Sequence, residues 1–137
     1  MEMIIDFPGG VRVDAHFGPH TVHTDQPVHG AGGAASAPTP FATFLAALGA
    51  CAGFYVLSFC QRRGIATNGV RLVQQTEIDP DTGMVRLVRL EIELPTDFPE
   101  QYRAAVIRAA EQCAVKKHLE HPPAFAISIT ARPVEPA

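Results

Sequence analysis

From Thr39 to Gln61 the chain carries no charged residue, and this constrains its fold more than any other feature. The middle of the segment, Phe41–Cys60, is about 20 residues, long enough as a helix to cross a bilayer. Arg62 and Arg63 supply the basic flank that a membrane span often carries. Two features favour a buried helix instead. Thr43, Ser58, Gly49 and Gly53 interrupt the apolar run, and the remaining sequence holds enough alternating apolar strands to wrap it. A helix that is apolar on every side suits the core of a compact oligomer. Its ends are legible. Thr39 is a good N-cap, Pro40 suits the first helical position, and Gly64 suits the residue after the last turn.

The flanking elements follow from hydropathy spacing. Val11, Val13, Ala15 and Phe17 alternate with Arg12, Asp14 and His16, which predicts a half-buried strand. Gly18-Pro19 is a turn, and His20–Thr24 returns as a second strand. Asp25–Ala37, rich in Gly, Ala and Pro, reads as a loop before the long helix. Val70, Leu72, Gln74 and Thr76 lead into the turn Asp79-Pro80-Asp81-Thr82-Gly83, and Val88, Leu90, Ile92 and Leu94 complete an antiparallel hairpin with one wet face. A second long helix is expected from about Pro99. It has Asp97 and Glu100 at capping-box spacing, an inner stripe of Tyr102, Val106, Ala109, Cys113 and Lys117, and a stop at Pro122-Pro123. Phe125, Ile127 and Ile129 predict a final strand. The predicted order is ββ-α-ββ-α-β, an α+β fold in a single domain over residues 1–137.

Composition narrows the function. Hydrophobic residues make up 47% and charged residues 18%, a globular balance. The net charge is −3 and the basic residues are scattered, which disfavours nucleic acid as a partner. Three cysteines cannot all pair within one chain. The N-terminal residues lack a basic segment before an apolar one, so a reducing cytoplasm is expected.

Cys51 and Cys60 lie on opposite faces of the first helix, about 13.5 Å apart along its axis, too far for a bridge that needs Cα atoms within about 7 Å. Either of them, but not both, could meet Cys113 on the second helix. Gly49, Ala50, Ala52 and Gly53 leave space beside Cys51 for a small oxidant or another backbone. Cys60, among Ser58, Phe59, Gln61 and Arg62, resembles core filler or a partly exposed thiol. Taken alone, three buried structural cysteines are the simpler reading.

The run Phe44-Leu45-Ala46-Ala47-Leu48-Gly49-Ala50-Cys51 resembles the central helix of the OsmC/Ohr family, and Cys113-Ala114-Val115-Lys116-Lys117-His118-Leu119 resembles its second-cysteine helix. Thr24-Asp25-Gln26-Pro27, with Gly30, Gly32 and Gly33, is similar to the loop that precedes the central helix. The resemblance spans nearly the whole chain. It implies an antiparallel sheet wrapped around two long central helices in an intertwined homodimer, with two sites at the subunit interface. It also implies a thiol peroxidase in oxidative stress defence. Cys51 would be the peroxidatic thiolate and Cys113 the resolving thiol, acting on organic or hydrogen peroxide and recycled by a dithiol reductant of lipoyl type, without cofactor or metal. The family's characterised members use an arginine and a glutamate beside the thiolate. Arg12 is the candidate arginine. The glutamate is missing: Pro40-Phe41-Ala42-Thr43 carries no carboxylate. That departure supports an alternative, a dimeric small-molecule binding protein of the same fold without competent turnover.

The chemistry sets a further requirement. The attacking thiol must ionise near neutral pH, which burial alone opposes. A mid-helix Cys51 gains little from its own helix dipole, so a cation is expected, from Arg12, Lys116 or Lys117. The two lysines also read as a solvated turn that complements the helix C-terminus. His16, His20, His23 and His29 match no zinc-ligand spacing and read as exposed strand histidines.

Overall fold

The computed structural model describes residues 1–136. Three strands, β1 (Ile4–Gly9), β2 (Arg12–Phe17) and β3 (His20–Thr24), form one antiparallel sheet in that order. A short turn of helix, α1 (Val28–Ala31), lies in the loop before the long helix α2 (Pro40–Arg62). Then come the hairpin β4 (Arg71–Ile78) and β5 (Val85–Glu93), a 3₁₀ turn η1 (Glu100–Tyr102), and two helices, α3 (Arg103–Ala110) and α4 (Ala114–Glu120).

α2 begins and ends where its caps place it. Thr39 Oγ1 accepts from the Ala42 amide at 3.1 Å, a cap worth about 1 kcal/mol. The Ile65 amide closes the C-terminus on the Cys60 carbonyl at 2.9 Å. Leu48, Ala52, Val56 and Cys60, each four residues on from the last, make one buried stripe. The inner face of the hairpin, with Leu72, Leu90 and Ile92, packs against that stripe, as do Val106 of α3 and Phe98. Val56 and Val106, both essentially inaccessible, contribute ~1.5–3 kcal/mol each by burial. Phe41 and Phe54 on the other faces of α2 stay more than half exposed. By length and composition alone Pro40–Arg62 is long and apolar enough to cross a membrane.

Four expectations are corrected. The first sheet has an additional strand, β1. Ile4-Ile5-Asp6-Phe7-Pro8-Gly9 does not alternate and contains a proline, which obscures it, and it tolerates Pro8 because it is an edge strand with a register shift between Asp6 and Gly9. The second long helix is broken: Cys113, at φ −46° and ψ 117°, stands between α3 and α4 in an extended conformation. Asp97 and Glu100 form no capping box. Pro99 takes the N-cap of η1, and Glu100 pairs with Arg103 at 2.6 Å. The predicted last strand is absent, since residues 121–136 form no regular element and Phe125, Ile127 and Ile129 are almost fully exposed. Extended chain becomes a strand only beside a free edge, and neither sheet of the same chain pairs with it.

Candidate active site

The stripe of α2 and the break between α3 and α4 bring Cys51 and Cys113 together. Cys113 packs with Leu48 and Ala52 in a buried cluster that Cys51, Val88, Leu90, Ala110 and Val115 complete. Both thiols are free. Cys113 is the N-cap of α4, and its sulfur accepts from the Lys116 amide at 3.4 Å, as a serine would at that position. Its proton has two acceptors, the Leu48 carbonyl at 3.7 Å and the Cys51 sulfur.

The two thiols are driven apart in acidity. The Val115 amide holds Cys51 below its ordinary pKa against the opposing effect of burial, helped by the Cys113 thiol and the Ala114 amide. Burial pushes Cys113 up, partly offset by the Lys116 amide and reinforced by the neighbouring Cys51. The two directions make Cys51 the more acidic of the two thiols.

These amides are available only because the helix is broken. In a continuous helix the Ala114 and Val115 amides would bond to carbonyls one turn earlier. At the start of α4 they are released from that pairing and lower the Cys51 pKa instead. Among the described residues of this chain, no cation is among the groups that act on Cys51. Arg12 donates to the Pro8 and Gly9 carbonyls at 3.2 and 3.4 Å in the β1–β2 turn. Lys116 pairs with Glu120 at 3.1 Å, and Lys117 donates to Gln112 at 2.9 Å. Sequence spacing missed the role of residues 113–116, because no glycine or proline marks the break.

Cys60 stands apart, fully buried with Val56, Phe59 and Val106. Burial raises its pKa, only partly offset by the Arg63 charge. The opposite-face placement of Cys51 and Cys60 thus separates a paired thiol from core filler.

Two glycines shape the surroundings. A Cβ on Gly49 would lie 2.7 Å from Gln74 Oε1, while Gln74 Nε2 donates to the Leu45 carbonyl at 2.9 Å. A Cβ on Gly33 would meet the Gln26 carbonyl oxygen at 1.9 Å, so the loop closes only with glycine there. Asp25 holds that loop. Its buried carboxylate accepts from Ser36 Oγ at 2.7 Å and from the Ser36, Gln26 and Ala34 amides, which lowers its pKa to about 2.

An apolar cavity of about 660 Å³ adjoins the cysteine cluster and shares Leu48, Val88, Leu90 and Ala110 with it. Ile107 and Leu119 extend its wall, and Glu91, Glu111 and Lys116 supply its polar groups.

Residues 32–128 match the model of the family described as OsmC-like protein. No curated protein matches the sequence. Among solved structures, the fold is similar to a protein from Psychrobacter arcticus 273-4 described as an osmotic stress induced and detoxification response protein. The TM-score is 0.70 at 20% identity, over 84% of this chain and 85% of that one. It is also similar to an organic hydroperoxide resistance protein OsmC from Legionella pneumophila, with a TM-score of 0.54 at 20% identity, over 87% of this chain and 89% of that one.

Proposed function

Because the chain belongs to the OsmC-like protein family, we propose that it is a thiol peroxidase that reduces organic peroxides through Cys51 and Cys113. The observation that carries this reading is the opposite displacement of the two thiol pKa values within one contacting pair. The Cys51 thiolate attacks the distal peroxide oxygen. The O–O bond breaks, Cys51 becomes a sulfenic acid, and the alkoxide leaves as alcohol after taking a proton. The Cys113 thiol then attacks the sulfenic sulfur, forming the Cys51–Cys113 disulfide and releasing water. An external dithiol, of lipoyl type, reduces the disulfide by exchange and is itself oxidised.

The amides of Val115 and Ala114 take the part expected of a cation, since a thiolate needs donors directed at the sulfur whatever their formal charge. The apolar cavity beside the pair suits the tail of an organic peroxide better than hydrogen peroxide. The working form is a homodimer in the reducing cytoplasm. The exposed apolar faces of α2, together with Phe125, Ile127 and Ile129, are the surfaces a second copy would cover.

The alternative, a dimeric binding protein using the same cavity, draws support from Phe41 and Ala42 in place of the family's glutamate. Peroxide consumption with a dithiol reductant separates the two. Catalytic turnover with cumene hydroperoxide supports the peroxidase. Binding of apolar ligands without turnover supports the alternative.

A further inference from the structure

On its polar face, the first sheet gathers a second set of reactive side chains. Asp6 of β1 stands opposite Asp14 of β2, and Asp14 stands opposite His23 of β3. His16, two residues beyond Asp14, shares this face. One ligand atom each from Asp6, Asp14 and His16 lie within 4.8 Å of one another. Bonds of ~2.1 Å to a single ion place its ligands ~3.4–4.2 Å apart, so small rotations of these side chains complete a site.

The surroundings of the three are ordered as they are around a metal. His16 Nδ1 lies 3.0 Å from Thr21 Oγ1, and Nε2 lies 3.1 Å from Asp6 Oδ2. Without an ion the His16–Asp6 contact is an ordinary histidine–carboxylate pair; when Nδ1–H donates to the threonine, the Nε2 lone pair points toward Asp6 and can take a metal ion that the carboxylate shares. A hydrogen bond that orients the non-ligating ring nitrogen is the usual support of a metal-bound histidine. His23 Nδ1 contacts Asp14 Oδ2 at 2.8 Å and positions that carboxylate, whose side chain is only 11% exposed. No lysine or arginine among the described residues pairs with Asp6 or Asp14. The nearby Arg12 is turned to main-chain carbonyls.

We propose that Asp6, Asp14 and His16 form a binding site for one divalent transition-metal ion, of which Zn²⁺ is the best match. Two carboxylates balance the charge of the ion, and one imidazole favours it over Mg²⁺ or Ca²⁺. Three protein ligands leave the remaining positions to water. The histidine count in the sequence could not reveal this set, because two of its three ligands are aspartates and one lies on the unexpected strand β1.

The test is calorimetric titration of the full-length protein with Zn²⁺, repeated on Cys51→Ser/Cys113→Ser to remove the thiol pair as a competing ligand. One ion per chain is expected in both proteins, with Mg²⁺ giving no heat. Asp6→Asn and His16→Ala should each weaken binding at least tenfold, and His20→Ala should leave it unchanged. With Co²⁺ the wild type should show ligand-field bands without sulfur charge transfer. Asp6 is exposed on an edge strand, so Asp6→Asn keeps the test valid if His16→Ala disturbs folding; circular dichroism without metal checks both. The site is overturned if micromolar Zn²⁺ does not bind, if binding disappears with the cysteines, or if Asp6→Asn binds as tightly as wild type.

Discussion

The Val115 amide, at the start of α4, lowers the pKa of Cys51 more than any other group does. A residue of α4 thereby acts on a thiol in the middle of α2, 64 positions earlier in the chain. Replacing Ala114 by proline tests this arrangement. Position 114 is the first of α4, where proline is tolerated, and the extended Cys113 is compatible with a following proline. Ala114→Pro removes one amide donor to Cys51 and should move its pKa upward. The rate of Cys51 alkylation at neutral pH should fall roughly three- to tenfold, the scale of one charge-assisted hydrogen bond. An unchanged pH–rate profile for alkylation would show that these amides do not activate the thiol.

Stoichiometric peroxide should convert Cys51 and Cys113 to one disulfide within a chain and leave Cys60 reduced. Cys60 is fully buried in a separate cluster, and burial raises its pKa. Peptide mapping by mass spectrometry decides the matter; a Cys51–Cys60 linkage in folded protein would refute the pairing.

The roles of the two thiols are separable. Cys51→Ser should abolish peroxide reduction, a loss of at least a thousandfold. Cys113→Ser should allow one turnover and leave a sulfenic acid at Cys51 that a dimedone probe captures. Wild-type turnover in Cys51→Ser would remove the assignment altogether.

Acid stability should report on Asp25. Its pKa in the folded protein, about 2, lies below the ordinary 3.8. The unfolded chain therefore binds the proton first as pH falls, and folding loses stability from about pH 4 down to about 2. Above pH 4 the contribution is fully present. Asp25→Asn should melt several degrees lower at neutral pH and show a flatter dependence of stability on pH between 4 and 2. Thermal melts across that range measure both, and identical slopes for the two proteins would exclude Asp25 as the source.

Assembly has a selective probe in Gly53. A Cβ there meets nothing within 4 Å in its own chain, so Gly53→Leu is expected to leave the fold of a single subunit intact, which circular dichroism checks. In a homodimer that approaches α2 closely, it should strain the interface by ~1–3 kcal/mol and weaken association about tenfold. Light scattering at micromolar concentration should find a wild-type dimer and a variant shifted toward monomer. A monomeric wild type, or a variant that dimerises equally well, would contradict this.

Local chemistry was sufficient for much of this architecture. Thr39-Pro40 and Gly64 delimit α2, Asp79–Gly83 turns the β4–β5 hairpin, and period-two alternation marks β2 and β5. Each of these signals acts over a few residues, through a cap, a fixed dihedral or a repeating face, so the sequence displays it directly. The helical spacing of Cys51 and Cys60 likewise determined that they face apart. The rest depended on distant partners. The helix breaks at Cys113 without a breaker residue, because the cysteine caps α4 and its sulfur packs against α2. The amides of Ala114 and Val115 act on Cys51 only after that packing, so no spacing in the sequence displays them. Strand β1 exists because the edge of β2 accepts it, and Phe125–Ile129 finds no such edge in its own chain despite its alternating pattern. Asp6, Asp14 and His16 converge through strand register alone, which the tertiary structure decides.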